Sequence, residues 1–501
     1  MTKRTALALI AALAVLLTAG GPARADFDFI GSGYGHGIGM SQYGALGLAK
    51  VGWGPARIVK HYFKTTHVGK RPPPNPRIKV GILQYKSSVK LIATGGSFEL
   101  KLKNGKHVDT VANNQSRTIS IHGGQYRVKK PNGDTVGNLW GGTSNHMLAL
   151  RNGTARIRVP AWGHQVRRGK LQFDIVSNTK AHLLGVMPVE QYVFGVSEVP
   201  SSWPMRALKA QAIMARTYAY WRLAGPLHGG CSCDVFTTTV DQAYTGWTKE
   251  SSPGGNRWVA AVNQTHRKVL THSGNYVYTP YSSSSGGHTE NIENVWPGAS
   301  PASWLKGVCD PRDDVPENPN TTWSASLSAA TVTSKLKPYT GDIGTVQNFT
   351  AYDRGVSGRV THVKVVGSSG SKVVEGWDIR SALGLKDTRF SVDRNLNITG
   401  RVRDKYDKVN CHPGRAMAPK LGIAGGAWQR FLKGRIYVNF SADKEVWIRG
   451  PVLDKYRDEG AHHGPLGLPV SYQKLADGTK GVFDHGTIVC NAGCTVTYGP
   501  A

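Results

Sequence analysis

Apolar and polar positions alternate in short runs between Arg77 and Val159. IKVGILQY, VKLIAT, SFELKLK, TISIHG and ARIRVP are rich in β-branched residues and separated by Gly, Asn or Asp. That pattern predicts short strands joined by turns. From Gly169 the pattern becomes mixed. KLQFDIVSN and KAHLLGVMP still read as strands, whereas Val189 to Val196 suits one or two helical turns. Pro204 to Leu223 is the clearest helix: Pro204 fits its first position and Gly225-Pro226 stops it. Leu208, Ala212, Ala215 and Ala219 give it a narrow face of small residues for close packing. Residues 45–49, 55–63, 331–337 and 379–383 predict shorter helices, and VTHVKVVG and TRFSV further strands. The sum is an α+β chain.

Two segments break these periods. Gly31, Gly33, Gly35, Gly37 and Gly39 alternate with other residues around His36, which permits close approach of backbone to a ligand or strand. Pro72 to Pro76 reads as a stiff linker. The tail repeats itself: Asp404-Lys405-Tyr406 recurs as Asp454-Lys455-Tyr456, and Phe431-x-x-Gly434-x-Ile436 as Phe483-x-x-Gly486-x-Ile488. Two copies of a unit near 50 residues imply stacked small modules rather than a catalytic core.

Residues 1–25 have the form of an export signal. Lys3 and Arg4 precede an apolar stretch, Ala6 to Leu17, that is short for a membrane span, and Ala23-Arg24-Ala25 suits cleavage before Asp26. No later apolar run is long enough to cross a bilayer, so a secreted, non-transmembrane protein of the cell wall or medium is expected. Removing Lys3, Arg4 and Arg24 takes the formal charge from +30 to +27. Such a charge favours a polyanionic partner. The basic residues are scattered rather than gathered in an arm, which argues against nucleic acid and for anionic cell-wall polymers; simple solubilisation is the plainer alternative. Six cysteines in an oxidising compartment predict disulfides, with Cys490 and Cys494 stapling a hairpin. His228, Cys231 and Cys233 are the candidate zinc ligands, against the competing reading of a structural disulfide.

Chemistry concentrates between Met187 and Arg222. Glu198 stands just before the Ala-rich helix, which carries Arg216 eighteen residues later. A carboxyl at a loop end backed by a rigid helix is an acid/base candidate; a solvated glutamate beside an ordinary helix is the bland reading. Glu190 is the rival acid, in a position that suits a helix cap.

Three separated segments carry a resemblance: PVEQYVFGVSEVPSSWPMRALKAQAIMART, YSSSSGGHTENIENVWPG and GYGHGIGMSQYGA. Together they resemble the SpoIID/LytB family of bacterial cell-wall proteins, with YDRGVSGRV and GWDIRSALGL as weaker matches. The third segment follows the rest of the domain in many members but lies near the start here, as in a circular permutation. The tail resembles LGFP repeats, most closely at Leu466-Gly467-Leu468-Pro469. The resemblance implies a segment at 26–76 that completes a SpoIID-like core at 166–395, a β-rich accessory region at 77–165, and two LGFP-like units at 396–501.

SpoIID-type members of that family are lytic transglycosylases that cleave MurNAc–GlcNAc bonds of peptidoglycan, preferring strands stripped of stem peptides. LytB-type members modify an amidase. The resemblance therefore implies peptidoglycan glycan strands as substrate and a cell-wall amidase as the alternative partner. It places the catalytic acid at Glu198, with Trp203 as the surface that desolvates it. Arg216 is expected to hold a substrate carboxylate or acetamide, or else to order the helix by a salt bridge. His36, Ser41, Gln42, Tyr43, Tyr281, Ser284, Ser285, His288 and Glu290 are expected along the groove. Some members bind zinc, but Phe236 and Asp241 stand where relatives carry cysteine, so no cofactor is expected.

Overall fold

The structure is a computed structural model that describes residues 26–70, 75–393 and 396–499. The expected export signal and Pro72 to Pro74 of the linker lie outside the described residues. The fold is α+β. Seven strands join in one sheet and five in a second, with smaller sheets around them. Strands form where alternation predicts them, at Arg77–Lys86, Ser88–Thr94, Phe98–Leu102, Ser116–His122, Arg156–Val159, Lys170–Ser177 and Lys180–Pro188. Their inward residues, among them Leu91, Leu100, Ile119, Ile157 and Leu171, fill one core between the two large sheets. In Ser88–Thr94, Phe98–Leu102 and Ser116–His122 inward apolar residues alternate with more exposed ones, which holds the register, because a slip of one residue would expose the apolar face.

The β-rich stretch is not a detached layer. Arg77–Lys86 pairs antiparallel with Lys180–Pro188, so the seven-stranded sheet runs from the 77–165 stretch into the segment that leads to Glu198. Beyond it, helix Met205–Leu223 is the hub of the second half. It starts one residue later than expected, with Pro204 as its N-cap, and Ala210, Ala212, Ala215 and Ala219 are fully buried. Those small side chains let helices Gln42–Lys50, Pro55–Tyr62 and Gly255–Gln264 pack closely against it.

The early Gly-rich segment is threaded through the later half of the chain. Asp26–Gly31 lies between Trp323–Ser328 and Phe390–Val392 in an antiparallel sheet. Met40–Ser41 pairs in parallel with Tyr281–Ser282. Gly37 has φ +71°, and a Cβ there would collide with the Arg359 guanidinium, so both backbone freedom and close approach require glycine.

The tail duplication is structural. Helix Gly400–Lys408 packs on a four-stranded sheet spanning residues 421–448, and helix Gly450–Asp458 on another spanning 469–498. Tyr406 stacks on Phe431 with centroids 5.3 Å apart, and Tyr456 on Phe483 at 4.5 Å. The repeated residues are thus mainly packing residues.

Cys490 pairs with Cys494 across the predicted hairpin, Cys231 pairs with Cys233, and Cys309 pairs with Cys411. The last bond spans 102 residues and ties the 288–315 loop to the first tail unit. Closing so long a loop removes much chain entropy from the unfolded state. Cys309→Ala with Cys411→Ala is expected to cost about 2–5 kcal/mol in denaturant unfolding; a loss within error would show that the cross-link does not hold the two parts together.

Candidate active site

Glu198 lies in the loop between helices Val189–Phe194 and Met205–Leu223. Its carboxyl is held by segments far apart in the chain. One oxygen accepts the Ala243 N–H at 2.6 Å, and the other accepts Gln42 Nε2 at 3.5 Å. The Tyr281 hydroxyl sits beside the same carboxyl and donates to Gln242 Oε1 at 2.8 Å. Gln242 is locked in turn by donating to Tyr192 Oη at 3.1 Å. Burial pushes the Glu198 carboxyl above its ordinary value. The Ala243 N–H, Gln42, Tyr281 and the Lys249 ammonium oppose that shift without cancelling it. Lys249 donates to Val199 O at 2.6 Å, and burial lowers it to about 8 against the pull of Glu198.

The carboxyl opens into a cleft of about 470 Å³. Aromatic rings line one wall. Trp296 lies 5.1 Å from His36 and 5.9 Å from Tyr278, and Trp377 continues the surface. His36 accepts the Ile38 N–H at Nδ1, 3.0 Å away. Burial, helped by Arg359, lowers its pKa to about 3, so the ring is neutral in the physiological range. Arg380 is the one arginine or lysine among the described residues lining the cleft, packed on Trp377 at 4.7 Å. Asp241 also reaches the wall, but its oxygens are committed. Oδ1 accepts the Tyr218 hydroxyl at 2.7 Å, and Oδ2 accepts the Phe236 N–H at 2.7 Å and pairs with His228 Nε2 at 2.9 Å.

Of the residues expected along the groove, His36, Gln42, Glu198 and Tyr281 line this cleft. The others lie elsewhere. Arg216 is fully buried and forks onto Glu190, with Nε to Oε1 at 2.8 Å and Nη2 to Oε2 at 3.0 Å. It is a structural ion pair, and it also removes Glu190 as the rival acid. Ser41 caps helix Gln42–Lys50 and donates to Asp313 at 2.6 Å. Ser284 donates to Asp313 at 2.7 Å and Ser285 to Asp310 at 2.8 Å, all buried. Glu290 is buried, accepting the Val356 and Ser357 N–H groups. His288 donates its Nδ1–H to Thr289 O in its own loop at 2.6 Å and faces a different cavity. Tyr43 and Trp203 pack on one another at 5.4 Å, away from the cleft wall. Cys231 and Cys233 are joined and His228 faces Asp241, so these residues do not fit a zinc site, which needs free thiolates.

The sequence reading passed over Gln242, Ala243, Tyr278, Trp296, Trp377 and Arg380. Gln242 and Ala243 sit in DQAY, and Trp377 and Arg380 in GWDIRSALGL; the motifs were visible, but not which residue faces the acid.

Residues 177–272 match the family model described as Stage II sporulation protein, SpoIID, and residues 290–406 match a domain of unknown function, DUF8618. The chain is 30% identical over 231 residues to stage II sporulation protein D of Bacillus amyloliquefaciens, covering 44% of this chain and 64% of that protein. It is 30% identical over 244 residues to the amidase enhancer of Bacillus subtilis (strain 168), covering 49% of this chain and 28% of the enhancer. An uncharacterized protein of Brachyspira hyodysenteriae is 30% identical over 246 residues, covering 46% and 61%. The chain thus spans less than two thirds of each of these relatives. The LGFP likeness of the tail has no counterpart among these matches.

The Arg216 assignment is open to test by unfolding. Arg216→Met leaves Glu190 buried with its main partner gone and is expected to cost about 3–5 kcal/mol. Adding Glu190→Leu is expected to restore most of that. An Arg216→Met chain of unchanged stability that no longer binds glycan would return the arginine to the ligand.

Proposed function

We propose that this chain, which carries a SpoIID-family domain homologous to sporulation protein D and to the amidase enhancer, is a peptidoglycan lytic transglycosylase of the cell wall. The observation that carries the reading is a single acid of raised pKa in an aromatic cleft. A hydrolase of sugars uses two carboxyl groups, one of them to activate water or to form a covalent intermediate. Here Asp241 is committed to three partners, which leaves Glu198 alone.

One carboxyl suffices for a transfer without water. Protonated Glu198 gives its proton to the glycosidic oxygen, and the C1–O bond breaks through an oxocarbenium-like state. The resulting carboxylate takes the proton of the MurNAc C6 hydroxyl as that oxygen bonds to C1. A 1,6-anhydro ring closes, and Glu198 is protonated again. The Lys249 cation favours the transient carboxylate, and Tyr281, Gln42 and the Ala243 N–H hold its orientation. The aromatic wall suits the apolar faces of sugar rings, and Arg380 suits a lactyl carboxylate.

Export is supported by three disulfides, and no helix among the described residues is long and apolar enough to cross a membrane. A second reading, that the cleft binds glycan without cutting it and assists an amidase, is favoured by the likeness to the amidase enhancer. LGFP-like wall attachment by the tail is part of either reading.

Mass spectrometry of products from purified glycan strands, intact and peptide-stripped, separates the two. Wild type is expected to release 1,6-anhydroMurNAc ends, and Glu198→Gln to lose about 10²–10⁴-fold of that activity. Unbroken strands with full binding would favour the amidase-assisting role. Activity should also fall as pH rises through the Glu198 pKa, because the acid must start protonated. Lys249→Met removes a cation that lowers that pKa, so the falling limb of kcat/KM should move to higher pH; an unmoved or lowered limb would detach Lys249 from the acid.

A further inference from the structure

Beyond the cleft, three more cavities follow one another along the molecule. Trp377, at the cleft, also lines an opening of about 270 Å³ with Asn294 and Thr361. Asn294 and Thr361 in turn line a cavity of about 640 Å³ where the core meets the first tail unit. Leu432 and Lys433 of that cavity also line one of about 560 Å³ between the two tail units. Shared walls therefore connect the Glu198 cleft to the tail.

The opening of about 270 Å³ carries Glu293 and Glu375 and, among the described residues, no lysine or arginine, whereas the far part of this path is strongly basic. Lys64, Arg354, Arg415 and Lys433 line the junction cavity, against one acid, Asp353. Arg430, Arg435, Arg449 and Arg457 join Lys433 in the next, against Asp454. Among the described residues, Arg457 is the member of this set that lies within ion-pair distance of a carboxylate, at 3.8 Å from Asp454. Aromatic rings hold two guanidinium groups in place: Arg449 lies 3.8 Å over Trp447, and Arg435 lies 4.5 Å over Trp428. The Cys309–Cys411 bond forms part of the junction wall, so the track spans core and tail as one covalently tied surface.

We propose that this track is a second binding site, which holds the repeating anionic groups of a wall polymer as the strand leaves the Glu198 cleft. It rests on the proposed function only for the direction of the strand. Two sources share the chemistry: the lactyl carboxylates of a peptide-stripped glycan strand, and the phosphates of a polyol-phosphate polymer. Guanidinium groups fork onto either. Continuity with the cleft makes the glycan the favoured source, because stripping the peptides exposes a carboxylate on alternate sugars.

The test measures binding in the full chain carrying Glu198→Gln, so that cleavage, or its absence, does not enter. The probes are peptide-stripped glycan strands and poly(glycerol phosphate), at about 0.15 M salt. Arg430→Gln, Lys433→Gln and Arg457→Gln remove three exposed charges from the track. A second chain carries Lys86→Gln, Lys90→Gln and Lys129→Gln, three exposed charges on strands of the two large sheets that line none of these cavities. The track variant is expected to bind its polymer about tenfold more weakly, and the distant variant to match the parent. Loss for glycan alone assigns carboxylates, and loss for poly(glycerol phosphate) alone assigns phosphates. Equal loss in both variants would mean that net charge, not the track, does the binding. No loss for either polymer in a folded track variant would also overturn the proposal.

Discussion

A single buried guanidinium holds the site's walls in register. Arg359 forks onto Asp387 at 2.9 Å through both Nε and Nη2, and donates to Ser285 O at 3.0 Å and His288 O at 2.8 Å. It abuts Gly37, so it binds the early Gly-rich segment, the Ser/Gly loop and the 352–392 region at one point. A charge so far from water persists only when paired and fully hydrogen-bonded, and losing one partner leaves the other uncompensated. The same positive charge helps keep His36 neutral. Placement of Gln42, and through it one side of the Glu198 carboxyl, follows from how that early segment is seated.

Glu198 and Glu190 show how environment assigns roles to like groups. Glu190 meets Arg216, the Arg267 N–H and His266, which occupy both of its oxygens. Glu198 meets an amide, a backbone N–H and a phenol in a desolvated cleft, with its nearest cation held on Val199 O. The first environment fixes a helix; the second, by burial, favours the proton. Buried acids also occur behind the cleft. Asp310 and Asp313 lie close enough to repel, and burial with that repulsion raises Asp310, while Tyr62, Ser41, Ser284 and Ser285 supply the hydrogen bonds that make the pair tolerable.

Local pattern carried much of the architecture. Most strands between Arg77 and Pro188, the helix after Pro204 and the tail duplication follow from period and from Gly and Pro punctuation, whereas the strands His107–Val111, Gln125–Lys129, Met147–Arg151 and His164–Val166 were not expected. Glu198 stood out as a candidate through the resemblance of its segment, because an acid at a loop end beside a helix equally suits a solvated glutamate. Arg216 stayed open between ligand and helix-ordering salt bridge because its partner lies 26 residues away, and the side a helical arginine faces depends on the helix packed against it. Ser284 and Ser285 looked like sugar-binding groups in a polar loop; the aspartates that bury them stand 25 to 29 residues later in a stretch without periodicity. Trp203 sits near Glu198 in sequence, but Tyr43, 160 residues away, draws it to another face. The aromatic wall could not be foreseen, because Tyr278, Trp296 and Trp377 come together only when two loops meet the start of helix Gly376–Leu383.

In the proposed reaction one acid acts without water, and labelled solvent addresses that step directly. Peptide-stripped glycan strands digested in ¹⁸O-water should yield 1,6-anhydroMurNAc ends free of ¹⁸O, since the oxygen that closes the ring comes from the sugar itself. Reducing ends carrying ¹⁸O would show that water attacks C1, and would contradict the assignment of Glu198 as the sole acid and base.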